Sequence, residues 1–220
     1  MTIIVENERA FDPLPRVVIG DSLCRFEKRP DGLRSTDVVF LPGGRICHIA
    51  HYINENRNLL RNRELLQIMV GTNDLSKLCN KCIVDSYRGL VRLVKTICPD
   101  TKLQICSQIP RPIDFKETKQ RQIDLKRDVK KMCKEEGVDY AKIHTGFIKN
   151  RLYVPYRYAS DRLHLNAPGQ ATLETALIRA GSKALGCRID RELGRGMVRE
   201  ERKDRAGEEW MTRIVGHELC

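Results

Sequence analysis

The stretch Arg16-Val17-Val18-Ile19-Gly20-Asp21-Ser22 decides the fold. Its apolar, β-branched run ends at a glycine, which is typical of a buried strand that stops at a sharp turn. Two polar residues, Asp21 and Ser22, follow the glycine directly. Four further short apolar runs predict strands, and they cover residues 37–41, 65–70, 103–107 and 138–143.

Amphipathic stretches lie between these runs. Their apolar residues recur every three or four positions, which predicts helices over residues 46–60, 76–98, 116–136 and 168–185. Ser76 is the expected N-cap of the second helix, and Pro168 stands at the start of the last. Alternation of strands and helices favours a parallel sheet between helical layers. The predicted fold class is therefore α/β, a three-layer α/β/α sandwich with about five parallel strands.

Charge separates the chain into two parts. The net charge is +11, but residues 188–220 hold 8 basic and 8 acidic residues, so the excess lies in residues 1–187. We expect one domain over 1–187 and a charged, poorly ordered tail over 188–220. A basic domain favours anionic partners, nucleic acid among them, although solubility explains the charge equally well. Aromatic residues make up only 5%, which weakens the case for base stacking.

The apolar pattern and the cysteines argue against a membrane-spanning protein and against a secreted one. The longest apolar runs have the length of strands, so we expect no membrane span. Glu6 and Glu8 interrupt the first residues, so no signal peptide is predicted. Nine cysteines, an odd number, favour a reduced protein inside the cell, in the cytoplasm. Whether the chain is part of a longer product is left open by the sequence.

Ligands of parallel sheets bind beyond the carboxyl ends of the strands. The segments after the first three predicted strands, residues 20–23, 42–44 and 71–74, should therefore share one edge. Ser22 is a candidate nucleophile there, because we expect it to open a helix with its hydroxyl exposed. The alternative is that Ser22 only caps that helix.

A serine nucleophile requires a base and donors for an oxyanion. Of the five histidines, His164 is the best candidate base, because Asp161 stands three residues before it and could orient the ring. The alternative is an aspartate that caps a turn beside an unrelated histidine. The Ser22 N–H, the Gly43 N–H and the Asn73 amide could provide the donors. Gly44 competes with Gly43, which we favour because it follows the strand more closely.

Four blocks of sequence resemble those of the SGNH, or GDSL, hydrolase family. They are Ile19-Gly-Asp-Ser-Leu23, Pro42-Gly-Gly44, Val70-Gly-Thr-Asn-Asp74 and Asp161-Arg-Leu-His164. The blocks occur in the family's order, and the resemblance extends over about residues 14–186. One departure is Leu41, which stands where the family often has asparagine.

The resemblance implies a flavodoxin-like fold and hydrolysis of an ester through an acyl-enzyme, with no metal or organic cofactor. Ser22 would be the nucleophile, His164 the base and Asp161 its orienting partner. Gly43 and Asn73 would complete the oxyanion hole with the Ser22 N–H. The remaining motif residues would support the loops, and they are Gly20, Asp21, Gly71 and Asp74.

The chain is similar in particular to small esterase domains of invertebrate gene products and of the first open reading frame of some non-LTR retrotransposons. Such domains accompany RNA-binding elements. The alternative function is therefore a catalytically weak scaffold that acts as a binding module, with RNA as one ligand. Small acyl esters, lipid-like esters and acetylated sugars are all compatible substrates, and the sequence does not predict the oligomeric state.

Other motifs carry weaker signals. The pair in Cys79-Asn-Lys-Cys82 is interpreted mainly as incidental, with a redox role as the alternative because it falls in the first turns of a helix. A metal at Cys47, His48 and His51 is disfavoured, since no further ligand is obvious. The basic residues of 111–131 predict a solvated face. Three tyrosines just before Asp161 either line a pocket or pack a loop, and they are Tyr153, Tyr156 and Tyr158.

Overall fold

A computed structural model describes residues 4–6, 15–26, 33 and 36–186. The predicted tail, residues 188–220, lies outside the described residues. Six strands form the main sheet, and they are β1 (Ile4–Glu6), β2 (Arg16–Gly20), β3 (Thr36–Phe40), β4 (Leu65–Met69), β5 (Lys102–Cys106) and β6 (Asp139–Ala141). Their order across the sheet is β1-β3-β2-β4-β5-β6.

Strands β2 to β6 run parallel, as the sequence predicted. At the centre, Ile19 of β2 lies opposite Val39 of β3 and Ile68 of β4. β1 pairs antiparallel with β3 at the sheet edge and was not predicted. It has only three residues, too few to give a pattern of its own, and it is defined by its pairing with β3.

Four helices complete the layers, and they are α1 (Ile46–Glu55), α2 (Asn80–Ile97), α3 (Phe115–Glu135) and α4 (Ala167–Ala184). Alternate strand residues point to opposite faces. Val17 and Ile19 pack in one apolar cluster with residues of α1, α2 and α3. Val18 packs in a second cluster with Leu173 and Leu177 of α4. The architecture is thus the predicted three-layer α/β/α sandwich.

Two predicted helix boundaries are wrong. α2 begins at Asn80 with Cys79 as its N-cap, and Ser76 is not the cap. The backbone N–H groups of Lys77 and Leu78 donate to the Asp74 carbonyl, so this segment is a turn. The predicted helix over 46–60 divides into α1 and a separate 3₁₀ turn, Arg57–Leu60.

The helix expected at Ser22 is also absent: the structure has a single 3₁₀ turn, Ser22–Cys24. The turn ends because Arg25 is extended, with φ −77° and ψ 105°. Three residues carry no appreciable helix dipole. Any anion stabilisation at Ser22 must therefore come from individual N–H groups.

A small hairpin lies between β6 and α4. It consists of β7 (Ile148–Lys149) and β8 (Leu152–Tyr153). The two residues between them, Asn150 and Arg151, have φ values of 50° and 63°, which suits a two-residue hairpin turn. Among the helices in the described part of the chain, none is long and apolar enough to cross a membrane.

Candidate active site

Three neighbouring strands bring three of the predicted segments to one edge of the sheet. β3, β2 and β4 are adjacent, so the loops that follow them lie side by side. These loops carry Gly43, Ser22 and Asn73 respectively. The structure thereby confirms that the segments after the first three predicted strands share one edge.

The loop after β2 places Ser22 next to β4. A Cβ on Gly20 would lie 2.3 Å from the Cys24 sulfur and 2.6 Å from the Met69 carbonyl oxygen, so only glycine fits there. The Asp21 backbone N–H donates to that same Met69 oxygen at 3.2 Å. Ser22 then emerges half-buried, and no other described residue bonds its N–H or its hydroxyl. Both groups are therefore available to a ligand.

Asp21 lies buried beneath this loop. Its Oδ1 accepts the Leu23 N–H at 3.0 Å, whereas Oδ2 has no hydrogen-bond partner among the described residues. Burial raises the pKa of this carboxyl to about 7; the charge of Asp74 adds to the rise, and the Leu23 N–H, His164 and Arg111 oppose it. Through Oδ1, Asp21 is the N-cap of the 3₁₀ turn that begins at Ser22.

The loop after β3 exposes one backbone N–H. Gly43 has a φ of 65°, a conformation that glycine adopts without strain. The Gly44 N–H donates to the Leu41 carbonyl at 2.8 Å and closes the turn. No acceptor among the described residues takes the Gly43 N–H. Of the two competing glycines, Gly43 is therefore the one whose backbone N–H could bind an oxyanion.

The loop after β4 is joined to the loop after β3 by two hydrogen bonds. The Asn73 side-chain amide donates to the Gly44 carbonyl at 3.0 Å, and its second N–H has no acceptor in the described part of the chain. Asp74 is buried, and its Oδ2 accepts the Ile46 N–H at 3.2 Å at the start of α1. Burial raises the pKa of Asp74. These bonds fix Asn73 in place beside Gly43.

Asp161 and His164 form a direct pair in the loop before α4. The ring Nδ1 of His164 lies 2.5 Å from Oδ2 of Asp161. Oδ1 of Asp161 accepts the backbone N–H groups of Leu163 and His164, both at 2.9 Å. The ring hydrogen bond and these two N–H donors lower the pKa of Asp161 to about 2. An ionised carboxylate only accepts, so Nδ1 carries a proton, and no described residue bonds Nε2.

Arg162 gives this loop its tight geometry. Its φ is 57°, and its N–H donates to the Ala159 carbonyl at 2.9 Å. The Ala159 N–H in turn donates to the His164 carbonyl at 2.9 Å. If Asp161 merely capped a turn, its two bonds to backbone N–H groups would be explained, but its bond to the His164 ring would not.

Contacts tie the His164 loop to the Ser22 loop. Gln170, in the first turn of α4, donates to the Arg25 carbonyl at 3.4 Å. Leu23 and Leu165 share one apolar cluster. His164 also lies close enough to Asp21 for its charge to lower that carboxyl's pKa. The structure thus brings the predicted nucleophile and base to the same end of the molecule.

Several supporting residues were not predicted. Arg111 was assigned to a solvated face, but its side chain is only 11% exposed. It donates to the Thr72 carbonyl at 2.8 Å and pairs with Asp114 at 3.3 Å. The Tyr87 hydroxyl donates to the Val70 carbonyl at 2.5 Å. The bonds to the Thr72 and Val70 carbonyls join positions distant in sequence, and no local pattern signals them.

The three tyrosines before Asp161 have separate roles. Tyr158 is buried, and its hydroxyl donates to the Pro110 carbonyl at 3.0 Å. Tyr153 contacts the rings of Tyr158 and Phe115 edge to face. Tyr156 is 53% exposed. Tyr153 and Tyr158 therefore pack the loop, and Tyr156 is the most exposed of the three.

The fold of this chain is that of solved acyl hydrolases. A protein inferred to be an acylhydrolase, from Bacteroides fragilis, has a TM-score of 0.66 at 18% identity, covering 78% of this chain and 88% of that chain. A GDSL-like lipase from Bacteroides thetaiotaomicron has 0.65 at 17%, covering 77% and 89%. A variant of an acetyl-xylooligosaccharide esterase from Geobacillus stearothermophilus has 0.58 at 16%, covering 81% and 100%.

Sequence comparison then defines the family. The GDSL-like lipase/acylhydrolase family matches residues 32–172, which is more than half of the chain. The chain belongs to this family. The matched region includes Gly43, Asn73, Asp161 and His164 but begins after Ser22. No curated protein matches the chain in sequence. Family membership supports a hydrolase that acts on esters.

Proposed function

We propose that the protein hydrolyses a carboxylic ester through an acyl-enzyme formed on Ser22. The observation that carries the proposal is the His164–Asp161 pair, because it leaves Nε2 as a free base at the end of the molecule where Ser22 lies. Carboxylate, imidazole and hydroxyl in this order are the groups that serine hydrolases use.

In the first half of the reaction, Nε2 of His164 accepts the Ser22 proton as the hydroxyl attacks the ester carbonyl. Asp161 holds Nδ1–H and stabilises the imidazolium that forms. The imidazolium then gives its proton to the leaving alcohol. In the second half, water attacks the acyl-enzyme with His164 again as base, and the acid and free Ser22 are released.

The oxyanion of each tetrahedral intermediate would bind three donors. These are the N–H groups of Ser22 and Gly43 and the second amide N–H of Asn73. All three lack another acceptor among the described residues, so no internal bond has to break when the oxyanion forms. Donors fixed in advance in this way lower the barrier most, and each contributes about 10²–10³ in rate.

The substrate class we propose is a small acyl or acetyl ester. The support is a likeness: one neighbour of this fold is named for an acetylated xylooligosaccharide, and one of its variants, a histidine-to-alanine change, is named a catalytic mutant. His164 is proposed to hold the corresponding role here.

The test is hydrolysis of p-nitrophenyl acetate by wild type and Ser22→Ala. We expect the variant to lose at least about 10³-fold in kcat/KM. Ser86→Ala is the matched control, because the described partner of that hydroxyl is the Cys82 carbonyl within its own helix, α2. Cys24 adds little background, since it is buried and burial raises the pKa of its thiol.

A fluorophosphonate probe gives an independent readout of nucleophile activation. Labelling of wild type at Ser22, absent in Ser22→Ala, is expected even if the acetate ester is a poor substrate. Equal hydrolysis by both proteins would show that another residue is the nucleophile. The absence of both hydrolysis and labelling would contradict the proposal and would favour a binding module.

A further inference from the structure

Cys79 and Cys82 form a close pair at the start of α2. Their sulfur atoms lie 2.9 Å apart. Cys79 is the N-cap of the helix, and its sulfur accepts the Cys82 backbone N–H at 3.3 Å. The two thiols are thus held side by side before any reaction takes place.

Neither helix capping nor core packing explains this pair. Serine, threonine, asparagine and aspartate cap helices well, whereas a thiol accepts hydrogen bonds weakly. Cysteine as a small apolar residue is normally buried. Cys79 and Cys82 are both exposed. Four other described cysteines are buried, and they are Cys24, Cys98, Cys106 and Cys133.

The surroundings favour a thiolate on Cys79 specifically. Hydrogen bonds from the Cys82 thiol and the Cys82 backbone N–H lower the pKa of Cys79, and the charge of Arg121 adds to the effect. The same pairing raises the pKa of Cys82. The two thiols are therefore unequal, one suited to attack and the other to remain protonated until a later step.

Arg121 is fixed where its charge acts on this turn. Its Nε donates to the Asn80 side-chain oxygen at 3.1 Å, and Nη1 donates to the Leu75 carbonyl at 2.7 Å. The Asn80 amide donates back to the Arg121 carbonyl at 3.0 Å. The cation is thus held in place by the segment that carries the cysteines.

We propose that Cys79 and Cys82 are a thiol–disulfide exchange site that takes small disulfides of the glutathione type. The Cys79 thiolate attacks the disulfide, forms a mixed disulfide and releases one thiolate, which takes up a proton. Cys82 then loses its proton and attacks the Cys79 sulfur, which expels the second thiol. One small disulfide is reduced to two thiols, and the Cys79–Cys82 disulfide forms. This site is separate from Ser22 and does not depend on ester hydrolysis.

The test uses the full chain, reduced, desalted and exposed to glutathione disulfide, followed by acid quenching and peptide mass spectrometry. Trypsin cuts after Lys81, so the two cysteines fall in different peptides that only a disulfide can join. We expect that linked pair in wild type. Cys82→Ser should stop at a glutathione adduct on Cys79, because the second attack is lost.

The rate of adduct formation distinguishes the two thiols. In Cys82→Ser we expect Cys79 to react at least about tenfold faster than Cys47, which is the remaining exposed cysteine among the described residues. We expect the same margin between Cys79 in Cys82→Ser and Cys82 in Cys79→Ser. Serine is itself a preferred N-cap, so Cys79→Ser should fold. Cys47→Ser should leave the linked pair unchanged.

Two outcomes would overturn the proposal. The first is wild type in which Cys79 and Cys82 stay unlinked while glutathione adducts form elsewhere. The second is Cys79 reacting no faster than Cys47 in Cys82→Ser. Ester hydrolysis is not measured in this experiment, so its result is independent of the function proposed for Ser22.

Discussion

The imidazole of His164 and the carboxylate of Asp161, three residues apart, meet at 2.5 Å through Nδ1 and Oδ2. Oδ1 of the same carboxylate holds the backbone of the loop. One side chain therefore sets both the shape of the loop and the tautomer of the ring. Because its pKa is lowered to about 2, Asp161 stays ionised throughout the neutral range.

The first prediction concerns Asp161→Asn. The amide oxygen can still accept the two backbone N–H groups, so the loop should keep its shape, but the negative charge opposite the imidazolium is lost. We expect kcat for ester hydrolysis to fall by about 10³–10⁴ with little change in KM. The measurement is steady-state kinetics on wild type and variant, with thermal unfolding to verify the fold.

Asp128→Asn is the matched control, because Asp128 is a half-exposed residue of α3 whose partner among the described residues is Arg127. It should retain full activity. A kcat for Asp161→Asn within tenfold of wild type would mean that the pair orients the loop but has no part in proton transfer.

The second prediction concerns stability and pH. Burial raises the pKa of Asp21 to about 7 from an ordinary value of 3.8. Between these values the carboxyl keeps its proton in the native state and loses it in the unfolded state. Unfolding therefore releases a proton, and rising pH favours unfolding. Asp21 should therefore lower the free energy of unfolding as pH rises from about 4 to about 7, by at most about 1.4 kcal/mol per unit.

Asp21→Asn isolates this contribution, because its amide oxygen can still accept the Leu23 N–H. The difference in Tm, variant minus wild type, should grow steadily between pH 4 and pH 7 and then level off. Asp100→Asn, in the exposed turn after α2, is the control for the loss of a carboxylate at the surface. A flat profile for Asp21→Asn would show that Asp21 ionises normally.

Much of the fold and of the site could be predicted because the deciding signals are local. Val17 to Ile19 followed by Gly20 defines a strand and its turn within a few residues, and Asp161 with His164 defines a pair within four. Arg111 and Tyr87 could not be found in this way, since their hydrogen bonds reach segments remote in sequence. The start of α2 was missed because the Ser76 hydroxyl donates to the Asn73 carbonyl and the Leu78 N–H donates to the Asp74 carbonyl, so neither group takes part in an N-cap at Ser76.

The third prediction contrasts two glycines. Gly71 has a φ of 100°, and a Cβ there would lie 2.5 Å from the Tyr87 hydroxyl, so Gly71→Ala should cost at least about 2 kcal/mol of stability. Gly89 lies within α2 with open space around it. Gly89→Ala should stabilise by about 0.5–1 kcal/mol, because alanine favours the helix.

Urea unfolding of the two alanine variants provides the measurement. Shifts of the midpoint in opposite directions are expected at an unchanged m-value. An unfolding midpoint for Gly71→Ala equal to that of wild type would mean that the Tyr87 hydroxyl moves aside without cost. The loop that carries Asn73 would then not depend on the position of that hydroxyl.

The buried amide of Gln67, in the middle of β4, donates to the Leu177 carbonyl of α4 at 3.1 Å and to the Gln104 side chain at 2.8 Å. Because α4 packs on β4 through these bonds, the order of synthesis determines when this part of the core can form. Ser22 precedes His164 and α4 by more than a hundred residues, so a growing chain holds the proposed nucleophile long before it holds the proposed base. Until α4 docks, one face of the central strand is also uncovered. Docking of α4 therefore completes the described core and the candidate site in one event, and a growing chain that has not reached His164 lacks the proposed base.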